Sequence, residues 1–138
     1  MAANTKTVLV VDDEEALRTL AAKLIATRGY KVLTAASGNE ALAILGGRAR
    51  VDLLVLDVVM PDLSGLQTLE EVRKRGYTDL QVVLLTAQST DDDVLSGYNK
   101  GADCYITKPL QPSQLLNIVD YLIGDLSPEE RAKLEPLL

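Results

Sequence analysis

Short apolar runs alternate along the chain with longer stretches in which apolar residues recur every three or four positions. The runs are Thr7-Val8-Leu9-Val10-Val11, Leu53-Leu54-Val55-Leu56, Val82-Val83-Leu84-Leu85 and Cys104-Tyr105-Ile106. Each is brief and rich in branched side chains, which suits a strand buried on both faces of a parallel sheet. Lys31 to Ala35 is less apolar and reads as a further strand at a sheet edge. Between the strands, Leu17, Leu20, Ala21, Leu24 and Ile25 mark the inner face of a helix that ends near Gly29. Ser37 caps a helix carrying Ala41, Leu42, Ile44 and Leu45, which stops at Gly46-Gly47. Ser64 opens another with Leu66, Leu69 and Val72, closed near Gly76, and a later helix carries Leu115, Ile118, Val119 and Leu122.

The stretch 90–100 makes a poorer helix. Gly97 in its interior costs about 1 kcal/mol relative to Ala, although Asp91, Asp92 and Asp93 suit the positive end of a helix dipole. It is expected to be the softest element of the fold. Ser127-Pro128-Glu129-Glu130 combines an N-cap, a Pro at the first helical position and acidic first-turn residues, so a tail helix follows and ends before Pro136. Strands alternating with helices predict an α/β domain, a doubly wound sheet of five parallel strands in the order 2-1-3-4-5 with helices on both faces. Its boundaries are 1–124, leaving 125–138 as a helical tail or the start of a connector.

In such a sheet the carboxyl ends of the strands lie along one edge, and a crevice opens where the strand order reverses, between strands 1 and 3. Polar residues occupy those ends: Asp12 and Asp13, Asp57, Thr86, and Lys108 followed by Pro109. Each has an ordinary reading by itself, as a helix cap, a turn residue, a packed Thr or a solvated Lys. Read that way, the set is five separate coincidences. Together, three carboxylates, a hydroxyl and an ammonium suit a divalent cation and a phosphoryl group. Mg²⁺ takes hard oxygen ligands and usually binds through one or two carboxylates and a phosphate oxygen. Crowded carboxylates repel one another, which raises a pKa or recruits a cation. Lys108-Pro109 also admits a cis peptide bond at low cost.

Composition narrows the alternatives. The 138 residues suit one domain, and the absence of Phe and Trp requires an aliphatic core. A formal charge of −6 and no Lys/Arg cluster argue against direct nucleic-acid binding. With no His, the chain lacks most zinc sites, Ser-His-Asp catalysis and a phosphohistidine of its own, so a phosphoryl donor must come from outside. The single Cys104 fits a reducing, cytoplasmic setting. No stretch is apolar enough to span a membrane, and the N-terminus lacks the apolar core of a signal peptide.

Val8-Leu9-Val10-Val11-Asp12-Asp13-Glu14, Asp57-Val58-Val59-Met60-Pro61-Asp62-Leu63-Ser64-Gly65, Thr86-Ala87 and Gly101-Ala102-Asp103-Cys104-Tyr105-Ile106-Thr107-Lys108-Pro109 resemble, in order and spacing, the response-regulator receiver domain of two-component signalling. The resemblance spans about residues 6 to 123 and implies a flavodoxin-like fold. It implies that Asp57 accepts a phosphoryl group from the phosphohistidine of a sensor histidine kinase or phosphotransfer protein. Mg²⁺ is then held by Asp12, Asp13, Asp57 and the backbone carbonyl of Val59. Lys108, Thr86 and Ala87 bind the phosphoryl oxygens, and Tyr105 turns inward behind Thr86. Such a protein catalyses only its own phosphorylation and dephosphorylation, and signals to a downstream protein effector or a second copy through the face 90–123.

Val59 and Gln88 occupy positions that vary in the family and tune dephosphorylation. Val59 offers no side-chain hydrogen bond to an attacking water, so a long-lived phospho-form is expected. Three other readings remain. A phosphatase of the haloacid-dehalogenase type needs a second Asp two residues after the first, where this chain has Val59. A phosphate-independent interaction module would not need the five-residue set. The chain could also be the receiver piece of a longer regulator.

Overall fold

Five strands, β1 (Thr7–Val11), β2 (Lys31–Ala35), β3 (Leu53–Asp57), β4 (Gln81–Thr86) and β5 (Cys104–Thr107), form one sheet in the order β2-β1-β3-β4-β5. Every pairing is parallel. The computed structural model describes residues 6–87 and 101–138. The helix expected over 90–100 and the position of Gln88 lie outside the described residues.

The strands sort their side chains by alternation. Val8, Val10, Leu53, Val55, Val83, Leu85 and Ile106 join α1 (Glu15–Ala26) and α4 (Pro112–Ile123) in one aliphatic core. Leu9, Val11, Leu54, Leu56, Val82 and Leu84 join α2 (Gly38–Leu45) and α3 (Gly65–Lys74) in the other. Both faces of β1 and β3 are therefore covered, and these strands read as unbroken apolar runs for that reason. β2, at an edge, has a mostly half-exposed pattern.

Helix ends follow local chemistry. Ser37 Oγ accepts from the Glu40 N–H, and Ser64 and Gln67 form a reciprocal capping box at the start of α3. Gly29 and Gly76 take positive φ after α1 and α3, where the chain reverses. One expectation needs correction. Leu20, assigned to the buried stripe of α1, is 45% exposed. Ala21 and Ile25 face the sheet, and at 3.6 residues per turn Leu20 points roughly 120° away from their midpoint.

The tail helix ends before Pro136, as its sequence indicated. α5 (Pro128–Leu134), capped by Ser127 and Glu130, is followed by a 3₁₀ turn over Glu135–Leu137 that includes Pro136. Proline is tolerated in the first turn of a helical segment because its missing N–H has no intrahelical acceptor there. The tail lies against α4: the Tyr121 hydroxyl donates to Glu135 Oε1 at 2.9 Å, and the Arg131 guanidinium stands 4.6 Å from the Tyr121 ring centroid.

Candidate functional site

The carboxyl ends of β1, β3 and β5 meet over the crevice. Asp57 is the last residue of β3 and is 3% exposed. Asp12 follows β1, is fully buried, and continues the ladder by donating its N–H to Ala35 O at 3.2 Å. Lys108 follows β5, with its N–H donating to Thr86 O at 2.7 Å. One carboxylate oxygen from each of Asp12, Asp13 and Asp57 lies within 4.8 Å of the others, with Asp13 on the exposed side. Lys108 Nζ stands 3.1 Å from Asp57 Oδ1 and 3.7 Å from Asp12 Oδ2. The Lys108–Pro109 peptide bond is cis.

Local hydrogen bonds aim these groups. Asp12 Oδ1 accepts the Glu14 N–H at 2.9 Å, and Arg18 Nη1 donates to the Asp12 carbonyl at 2.9 Å. One oxygen of Asp12 thus does the capping work that its position suggested. The other, Oδ2, is buried, faces the crevice and has no hydrogen-bond partner among the described residues. Such an atom is costly in a low-dielectric site. Oxygen donors crowded this closely, one of them unsatisfied, fit a small hard cation such as Mg²⁺.

The electrostatics follow. Burial raises the Asp57 pKa from its ordinary 3.8 to about 6, and the negative charge of Asp12 adds to the rise. The Lys108 hydrogen bond and the Val59 backbone N–H oppose it. For Lys108, burial works against the charged form. Its hydrogen bond to Asp57 and the charges of Asp57, Asp12 and Glu14 outweigh that burial and hold its pKa above the ordinary value.

Thr86 and Tyr105 occupy the other side of the pleat. In the β3–β4 register Asp57 is paired with Leu85, on the α1/α4 face, so the next residue, Thr86, faces the α2/α3 side. Tyr105, paired with Leu84, packs half-buried against that second core. Ala87 is exposed at the end of β4, and Val59 is 70% exposed on the loop after β3.

Two contributors carried no assigned role in the sequence reading. Glu14 supplies both the N–H that fixes Asp12 and part of the field at Lys108. Gly65 opens α3 against the end of β3: its N–H donates to Val58 O at 2.8 Å, and a Cβ there would overlap the Asp57 carbonyl oxygen. In sequence a glycine after Ser64 reads only as loop punctuation, so nothing marked this close approach. Among the described residues, no helix is long and apolar enough to cross a membrane.

The family model for the response regulator receiver domain matches residues 8–120. Among curated proteins, the chain is 42% identical over 109 residues to the transcriptional regulatory protein YvrH of Bacillus subtilis, covering 78% of this chain and 45% of that protein. The chain spans about half the length of the curated relatives it matches. Among solved structures, the chemotaxis protein CheY4 of Vibrio cholerae superposes with a TM-score of 0.82 at 32% identity, covering 86% of this chain and 99% of that one. A phosphorylated cyanobacterial phytochrome response regulator, RcpA, gives a TM-score of 0.76 at 28% identity, covering 90% of this chain and 98% of that one. The motifs, the sheet order and these matches agree, and the chain belongs to the response regulator receiver domain family.

Proposed function

We propose that this chain is a phosphoacceptor switch in which Asp57 takes a phosphoryl group from the phosphohistidine of a sensor histidine kinase or phosphotransfer protein. The observation that carries the reading is the buried pair of Asp57 and Asp12 sharing the Lys108 ammonium, with Asp12 Oδ2 left without a hydrogen bond. Asp57 Oδ attacks phosphorus, a P–O bond forms, the P–N bond to the donor's imidazole breaks, and that ring leaves with the electron pair. With a pKa of about 6, Asp57 is mostly ionised at neutral pH and available as the nucleophile. Lys108 neutralises charge on the transferred oxygens, the kind of electrostatic help that phosphoryl transfer most needs.

Mg²⁺ would be held by Asp12, Asp13, Asp57 and the Val59 carbonyl. When bound, it would offset the negative charge of the carboxylates and of the incoming phosphoryl oxygens. Burial of Asp57 keeps bulk water from its acyl phosphate, and Val59 presents no side-chain group to orient an attacking water. The chain thus acts only on itself rather than turning over a substrate.

A phosphoryl group adds roughly −2 charge and acceptor oxygens. Those oxygens favour a conformation in which Thr86, with Ala87 beside it, and Lys108 are drawn together and Tyr105 follows. Because Thr86 starts on the opposite side of the pleat, this requires movement at the end of β4, and the change would reach a partner-binding face over 90–123. The output is a downstream protein effector or a second copy of the chain. The phosphorylated state of RcpA supports the phosphoacceptor reading. The half-length match to regulators named for transcription favours a receiver unit within a longer regulator. In such a protein, DNA contact would fall to a segment beyond this acidic unit, and residues 125–138 would be a tail or connector.

The test is labelling by acetyl phosphate in Mg²⁺. Wild type is expected to form an acid-stable, base-labile acyl phosphate, and Asp57→Asn to form none. Labelling of Asp57→Asn at the wild-type level would refute the assignment.

A further inference from the structure

We propose that Arg73 is a positioning residue for the phosphoryl site: it locks the amino end of β5, and so sets where the other end of that strand places Lys108. The inference rests on the reading that Lys108 takes part in phosphoryl transfer.

β5 is four residues long, and its described sheet partner is β4 alone. Of its residues only Ile106 is fully buried. A short edge strand with one fully buried side chain is held in register by its own side chains less firmly than a central strand. Its register is fixed further by anchors at both ends.

At the amino end, Asp103 and Val82 bond reciprocally. The Asp103 N–H donates to Val82 O at 2.8 Å, and the Val82 N–H donates to Asp103 Oδ2 at 2.7 Å. Arg73, in the last turn of α3 with its side chain 19% exposed, ties this knot to the rest of the fold. Its Nη1 donates to Tyr77 O at 2.6 Å and Leu80 O at 2.7 Å. Its Nε and Nη2 donate to Gly101 O at 3.2 and 2.5 Å, and Nη2 lies 3.4 Å from Asp103 Oδ2. One planar guanidinium thereby joins the end of α3, the loop before β4 and the entry to β5. A Lys has no such fork of fixed donors. Gly101 completes the arrangement, with φ at +103° and no room for a Cβ, which would stand 2.8 Å from Arg73 Nε.

At the carboxyl end, Lys108 bonds Thr86 O through its backbone and Asp57 through Nζ at 3.1 Å. A strand rises about 3.3 Å per residue, so a one-residue slip would move Lys108 by as much as the whole length of its contact with Asp57. It would also turn the side chains of β5 to the opposite face. The cation ligands Asp12, Asp13 and Asp57 come from β1 and β3, so their positions do not depend on the register of β5, although Lys108 touches two of them.

That separation supplies the test, made on the full chain. Arg73→Lys is expected to slow labelling by acetyl phosphate about tenfold or more, since a misplacement of about 1 Å can cost on the order of a hundredfold. Mg²⁺ affinity, read from binding without phosphodonor, is expected not to fall, because misplacing Lys108 leaves those ligands in place and withdraws a positive charge from Asp57. Asp103→Ala should give the same pattern, and the double variant should be no slower than the worse single one, as for residues acting through one anchor. If Arg73→Lys fails to fold, Asp103→Ala and Gly101→Ala carry the same comparison. Unchanged labelling in folded variants overturns the proposal, as does a parallel loss of labelling and Mg²⁺ affinity, which would mean general loosening. A wild-type chain that never labels would instead refute the phosphoacceptor reading, and this inference with it.

Discussion

Lys108 Nζ lies 3.1 Å from Asp57 Oδ1, and the same ammonium is 3.7 Å from Asp12 Oδ2. The closer contact is a hydrogen-bonded ion pair and the longer one is not. Lys108 therefore serves Asp57 well and Asp12 poorly, and the site carries more buried negative charge than this contact offsets. Its responses to pH, to a cation and to substitution follow from that imbalance.

Removing Lys108 leaves two buried carboxylates without their shared cation. Lys108→Met in the absence of divalent ions should lose roughly 3 kcal/mol of stability at pH 7.5, in the range for breaking a buried pair from one side. At pH 5 the loss should be smaller, because Asp57 can protonate. Urea unfolding at the two pH values checks this; equal losses at both would contradict it.

The pH dependence of the divalent-free protein has a definite sign. Asp57 has a folded-state pKa of about 6 against an ordinary 3.8, so between these values the folded chain binds more protons than the unfolded one. Its contribution to stability is fully present below pH 3.8 and is lost as pH rises through about 6. The size is on the order of 2–3 kcal/mol at 1.36 kcal/mol per unit. Subtracting the stability profile of Asp57→Asn from that of wild type isolates this group, and a flat difference between pH 4 and 7 would count against the assigned shift.

A cation that fills the crevice should stabilise the fold by mass action, by about 2.7 kcal/mol at a hundred times its dissociation constant. Thermal melts with added Mg²⁺ should show an upward shift at pH 7.5 that shrinks at pH 5. The shift should largely vanish in Asp12→Asn and Asp13→Asn. Shifts of wild-type size in both variants would remove these residues from the ligand set.

Val59 is 70% exposed two residues after Asp57. Val59→Asn places an amide where a hydrolytic water would approach, and phosphate loss from the labelled protein should accelerate several-fold. The decay of labelled protein after removal of the donor measures this, and an unchanged half-life would exclude a role for this side chain.

Gly65→Ala forces a Cβ against the Asp57 carbonyl oxygen. Backbone must shift to admit it, at a cost of about 1–3 kcal/mol. The displaced β3 end should slow labelling as well. A folded Gly65→Ala chain with wild-type urea midpoint and labelling rate would show that the approach is not tight.

Much of this molecule was legible in its residues, because strand and helix identity rest on local period and on end chemistry. The runs at Val8–Val11 and Leu53–Leu56 suit buried strands, Ser37 and Ser64 suit helix caps, and a sheet of parallel strands places Asp12, Asp57 and Lys108 along one edge. Period alone misjudged Leu20, since it defines an apolar stripe about a helix but not which part of that stripe touches the sheet.

By itself, then, the sequence determined the elements, their order and the residue types brought to the crevice, all properties of neighbours in the chain. Only the tertiary structure decided that Asp12 keeps one oxygen unsatisfied, that Gly65 must admit the Asp57 carbonyl, and that Arg73 grips Gly101 and Asp103 from across the fold. Those facts are distances between atoms far apart in sequence. They depend on strand register and on how helices settle against the sheet, and no local pattern encodes either to within the few tenths of an ångström on which a hydrogen bond depends.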